Sequence, residues 1–185
     1  AEILDTIGAA NAPVSITWDG SFDTLDQAFS RAATVVTGDV LITRNTPITV
    51  PDGKVWIAFG TKVAWGQSPT GADGTALVSI NAGASVYGLS VDASGSQEIN
   101  SYGFSLASGA RAIRCRSKNA TNTGFNVLNG SSDVHLSSCD ARNNKVGIYV
   151  SSNCSGISIE NGTAKFNTGE GLLVAQSATS DVTVT

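Results

Sequence analysis

Methionine is missing altogether from this 185-residue chain, histidine occurs once and cysteine three times. The single His135 leaves no second histidine for a zinc site, and no Ser or Cys stands at a spacing that suggests a catalytic triad. An odd cysteine count without mini-protein spacing argues against a disulfide framework. Charge is scarce too: Asp, Glu, Lys and Arg make up 14%, against roughly 25% in ordinary soluble domains. With 11 Lys and Arg, a net charge of -4 and no basic run, the sequence offers no electrostatic footprint for nucleic acid. No apolar run approaches the roughly 18 residues of a membrane span, so no membrane insertion is expected. A basic-then-apolar leader is also missing at the N-terminus. Lacking Met, Ala1 reads as a processed terminus or as the edge of a longer polypeptide.

Gly, Ser, Thr and Asn fill the space left by charge, a turn-rich β composition. Within it three segments repeat. Cys115, Cys139 and Thr163 are spaced 24 and 24 apart, as are Asn119, Asn143 and Asn167, whereas Gly124, Gly147 and Gly171 follow at 23 and 24. Each glycine precedes a short alternating strand, with Phe125 and Val127, Ile148 and Val150, then Leu172 and Val174. Such a period predicts a solenoid in which Val91, Cys115, Cys139 and Thr163 stack inward. Cys115 and Cys139 are then expected as buried thiols, since parallel side-chain vectors suit a disulfide poorly. The Asn column reads as structural, because Asn tolerates left-handed turns and stacked amides bond along the axis; the glycines read as turn residues.

Residues 1–20 read as a lead-in arm and 21–46 as an N-terminal cap. The cap holds a helix over 23–36, with Asp23 as its N-cap and Phe22, Leu25, Phe29, Ala32 and Val36 on one apolar face. Coils occupy 47–185, about six turns at roughly 23 residues each, with a turn at Pro51-Asp52-Gly53 and a looser, projecting Ala93 to Ser101. Trp56 and Trp65 fall in the first coil, where packing under the helix is expected. Val182 to Thr185 matches the strands at Val134 and Ile157, so the sequence stops as a new coil begins, and a continuation or a capping partner chain is expected.

The stretch Asn143, Gly147-Ile148-Tyr149-Val150, Ser158-Ile159, repeated as Asn167, Gly171-Leu172-Leu173-Val174, Val182-Thr183-Val184, resembles the right-handed parallel β-helix of the pectin-lyase-like superfamily. The preceding helix with Val40-Leu41-Ile42-Thr43, Pro47-Ile48-Thr49-Val50 and Val55-Trp56-Ile57-Ala58-Phe59-Gly60 is similar to the cap and first coil of that family, bacteriophage tailspikes above all. The resemblance implies an all-β, right-handed, single-stranded parallel β-helix with a short capping helix. It also implies a homotrimeric spike in a virion tail, or an extracellular setting, that recognises, or recognises and depolymerises, bacterial surface polysaccharide. A secreted polysaccharide lyase or glycoside hydrolase, and a non-catalytic adhesin or virion structural domain, are the alternatives the same fold allows.

For chemistry, inward Cys115 and Cys139 would place Asp92, Arg116, Asp140 and Ala164 in one outward column. Asp92 and Asp140 would then stand about 9.6 Å apart, two coil rises. That lies near the roughly 6.5 to 9.5 Å of an inverting carboxylate pair, which makes them the catalytic candidates. Arg116 between them favours the opposite reading, a charge-compensated ladder whose carboxylates stay ionised. Glu160 and Glu170 are further carboxylate candidates or solvated surface charges; Tyr149, between Asn126 and Leu173, faces outward to pack against a neighbouring subunit or to stack on a sugar ring, and Arg116 is a second candidate for binding substrate. Asp133, Asp140 and Arg142 only approximate a lyase-type calcium site, so no metal and no cofactor are expected.

Overall fold

The computed structural model describes residues 15–18, 22–66, 74–94, 101–175, 177 and 179–185. These form a parallel β-solenoid of about six turns with one short helix. Three sheets run along the coil axis. Sheet I pairs Ser15–Trp18, Thr34–Thr37, Val55–Ile57, Ser85–Tyr87, Arg111–Ile113, His135–Ser137, Ile157–Glu160 and Val182–Val184. Sheet II pairs Ile48–Val50, Ala76–Ile80, Tyr102–Leu106, Thr123–Val127, Val146–Val150 and Leu172–Val174. Sheet III pairs Leu41–Arg44, Lys62–Trp65, Ser90–Asp92, Arg116–Lys118, Asp140–Arg142 and Thr163–Lys165. All pairings given are parallel, and coil pairing already includes Thr34 and Leu41, before Ile48. The projecting Ala93 to Ser101 falls largely outside the described residues, as do 1–14. Among the described residues no helix is long and apolar enough to cross a membrane.

One continuous apolar core fills the coils. Val78, Phe104, Phe125 and Ile148 stack in register from sheet II, and the rings of Phe104 and Phe125 lie parallel at 4.8 Å. Stacking identical faces at one rise, about 4.8 Å, suits flat side chains and explains the repeated strand pattern. The helix runs Phe22–Arg31, shorter than the expected 23–36. Thr34-Val35-Val36-Thr37 is a β-branched run whose stiff side chains favour a strand, and it pairs with Val55–Ile57 instead. The expected Asp23 cap consequently falls inside the helix. Leu25, Ala28, Phe29 and Ala32 are buried, and Phe29 meets Trp56 edge-on at 5.8 Å, as expected for a helix lying over the first coil. Beneath it Trp56 Nε1 donates to Thr37 Oγ1, which sits 2.6 Å from Thr61 Oγ1, and Thr61 in turn donates to Gly38 O.

The register departs from the expected 24-residue columns. Arg116 pairs with Asp140 at an offset of 24, but Asp140 pairs with Thr163 at 23. The corner after Asn144 is one residue shorter than the corner after Ala120, so sheets II, I and III all shift until the corner after Asn167 restores 24. Thr163 is therefore exposed and points outward instead of stacking on Cys139. At the other end Val91 pairs with Ser117, and Leu89 takes the place opposite Cys115. Cys115, Cys139 and Cys154 are buried free thiols. The hydrogen bond to Cys115 and burial push the Cys139 thiol well up, so it stays protonated and serves as a small apolar filler.

The same shift divides the asparagine column into two jobs. Asn119 and Asn143 occupy left-handed backbone, at φ 61° and 54°, and in the next coil that position falls to Phe166, at φ 58°. Asn167 lies one place further on, in the row of Ala120 and Asn144, and this second row carries the amide ladder. Asn144 Oδ1 accepts from Ala120 N–H at 2.9 Å, Asn144 N–H donates to Asn167 Oδ1 at 3.0 Å, and the Nδ2 groups donate to Ser117 O and Ala141 O. Gly124 and Gly147 are strand residues, not turns. A Cβ on Gly124 would meet Asn144 Nδ2 at 2.7 Å and one on Gly147 would meet Asn167 Nδ2 at 2.8 Å, so each glycine makes room for the amide of the next coil. Because Asn144 alone satisfies the buried Ala120 N–H, Asn144→Ala is expected to cost about 1 to 3 kcal/mol in urea denaturation. Phe166→Asn should gain about 1 kcal/mol by relieving a left-handed Phe. An unchanged midpoint for Asn144→Ala would contradict the ladder.

Candidate functional site

Each three-residue strand of sheet III turns its middle side chain into the core and its outer two away from it. Register then builds two outward columns. One reads Leu41, Lys62, Ser90, Arg116, Asp140, Thr163, and the other Thr43, Ala64, Asp92, Lys118, Arg142, Lys165. Asp92 therefore does not share a column with Arg116 and Asp140, nor does Ala164, which stacks behind Ala141. The expected inverting pair is not formed: Asp92 and Asp140 belong to different columns, and each is held by its own cations.

Asp140 accepts from Arg116 Nε at 3.1 Å and from Arg142 Nε at 2.7 Å, and Thr163 Oγ1 donates to it at 2.7 Å. Partial burial alone would raise its pKa, but the bonds from Arg142 and Thr163 and the charges of Arg142 and Arg116 outweigh it and hold the carboxyl below its usual range. Asp92 behaves alike. Burial is outweighed there by Lys118 Nζ at 2.8 Å, Asn119 Nδ2 at 2.9 Å and Ser94. Both carboxylates are ionised at neutral pH, so neither is a proton donor for glycosidic cleavage. The charge-compensated ladder is the observed arrangement, with Arg142 and Lys118 as the partners that the 24-residue alignment missed.

Two hollows open on this side of the coil. A groove of about 500 Å³ lies between Leu41, Lys62, Arg116, Lys118 and Arg142, over a floor of Ala64, Ser90 and Asp92. A smaller one of about 310 Å³ follows the sheet I to sheet III corner, where Gly60, Gly88, Arg114 and Ser138 take left-handed backbone. Lys62, Ser90 and Arg116 border both, and Asp140 borders the smaller one.

The other candidates lie elsewhere. Tyr149 stands on the outer face of sheet II between Asn126 and Leu173, as the sequence indicates. Glu160 is on sheet I, where the register brings His135 beside Ser158, a juxtaposition hidden by their distance in sequence. Ser158 Oγ donates to Glu160 Oε1 at 3.0 Å, and His135 Nε2 lies 4.0 Å from Glu160 Oε2. A triad needs the imidazole between hydroxyl and acid; here the hydroxyl donates to the acid directly and His135 stands to one side, so the geometry is not that of a triad. Asp133 lies at a corner before sheet I, away from Asp140 and Arg142 in the register, and among the described residues no group of three or more His, Cys, Asp or Glu could hold a metal ion.

The depressed carboxyls link to stability with a definite sign. Their contribution is present above the unfolded carboxyl pKa of about 3.9 and is lost as pH falls through the lower folded values. The melting temperature is expected to drop below about pH 4, and by less in Asp140→Asn. Superimposable acid curves for the two proteins would contradict the ion-pair assignment. Comparison with protein families, with curated protein sequences and with solved structures finds no match for this chain.

Proposed function

We propose that this solenoid is a recognition rod of the tailspike kind, from the pectin-lyase-like superfamily, that binds polysaccharide on a bacterial surface without cleaving it. The reading is supported by the groove on sheet III. It crosses the strands from Leu41 to Arg142 and is charged, and the carboxylates in and beside it, Asp92 and Asp140, are committed to Lys118, Arg116 and Arg142 and not to proton transfer. A flexible sugar chain loses entropy when it is ordered, and a preformed row of donors at fixed spacing limits that cost. The sequence resemblance adds the expectation of a homotrimer displayed in a virion tail or another extracellular setting, with Tyr149 as an aromatic contact for a ring.

Binding of the chain to a panel of purified capsular polysaccharides and lipopolysaccharides tests this proposal. Retention of at least one of them is expected, with no new reducing ends and no unsaturated uronate absorbance after long incubation. Turnover that disappears in Asp92→Asn or Asp140→Asn would replace recognition by catalysis, and no retention of any polysaccharide would end the reading.

A further inference from the structure

Six of the chain's 11 Lys and Arg residues gather on one side of the coil: Lys62, Arg114, Arg116, Lys118, Arg142 and Lys165. Among the described residues the strands of sheet III carry two carboxylates, Asp92 and Asp140, in a chain whose net charge is -4. The members of the basic cluster lie in four different coils, and sheet pairing brings Lys62, Arg142 and Lys165 to the Arg114, Arg116 and Lys118 of one coil.

The arrangement carries an electrostatic cost. Lys118, Arg142 and Lys165 are direct register neighbours, stacked one rise or about 4.8 Å apart, and like charges placed directly opposite on neighbouring strands destabilise a sheet. A face built only for solubility would alternate signs at no such cost. Asp140 relieves part of the repulsion, yet it grips Arg116 and Arg142 by Nε alone, and among the described residues their Nη donors have no protein partner. Lys62 and Lys165 likewise have none among the described residues. Between Lys62 and Arg116, two coil rises or about 9.6 Å apart, the register places only Ser90, a side chain short enough to leave the groove open.

On the glycan reading above, we infer that the groove takes acidic sugar units: an anionic substituent enters over Ser90 between Lys62 and Arg116, and further ones run along Lys118, Arg142 and Lys165. The guanidinium groups are preset for oxyanions, since Asp140 fixes their planes and leaves donor pairs outward. Carboxylate and sulfate ester share this chemistry, and one polymer backbone can present either.

The test uses dextran, carboxymethyl dextran and dextran sulfate, titrated calorimetrically into the whole chain. Binding of at least one charged dextran, weakening as ionic strength rises, with neutral dextran weaker by about tenfold or more, is expected. Lys62→Gln combined with Arg116→Gln should weaken the charged polymer by about tenfold. Arg111→Gln, an equal change of charge per site on the outer face of sheet I, should leave affinity within about twofold, with circular dichroism confirming that each variant is folded. If neutral dextran binds as well as the charged forms, the acidic specificity falls while glycan recognition stands. Equal losses in the Arg111→Gln control overturn the site. Single-stranded DNA bound as tightly as dextran sulfate overturns the assignment to sugar. Failure of every dextran, alongside binding of a neutral bacterial polysaccharide, overturns this inference and spares the proposal it rests on.

Discussion

The coils from Ala120 to Asn167 are held in register by one buried contact repeated along the axis: the side-chain amide of one coil closing the backbone of the coil before it. Asn144 Oδ1 takes the Ala120 N–H, and Asn167 Oδ1 takes the Asn144 N–H, at the corner where sheet III turns into sheet II. A peptide N–H buried at such a corner has no strand partner, and leaving it unsatisfied costs about 1 to 3 kcal/mol. The ladder meets that demand only if Gly124 and Gly147 stand bare opposite the amides. Two residue types at two corners thereby fix which residue stacks on which.

From that register the outer chemistry follows. A three-residue strand shows two side chains outward, so every coil adds a pair to the sheet III face and the pairs align at one rise. Carboxylates that look like a catalytic couple along the chain are separated into two columns and captured by cations from adjoining strands. Cations scattered between Lys62 and Lys165 meet on one surface. The same geometry that separates Asp92 from Asp140 lines the proposed anion groove with cations.

The solenoid, the inward Phe125, Ile148 and Leu172 and the outward Tyr149 were legible because alternation and period are local signals. What failed was a constant offset of 24. The glycines already carried the warning, with Gly124 and Gly147 only 23 apart, but Asn143 and Asn167 repeat at 24 by coincidence and concealed it. Asn144, which does the bonding, stands beside the more conspicuous Asn143 and has no asparagine at its equivalent place, Ala120. The basic face shows only in part along the sequence, as Arg114, Arg116 and Lys118, because Lys62, Arg142 and Lys165 join them only through the register.

Amide hydrogen exchange, read residue by residue by NMR, tests the ladder most directly. Ala120 and Asn144 donate to side-chain oxygens and not to a strand partner, yet both should exchange as slowly as Phe104 and Phe125 in the middle of sheet II. If these two amides exchange at the rate of an open turn while the strand amides stay protected, the side-chain ladder does not set the register, and the charged face built upon it loses its foundation.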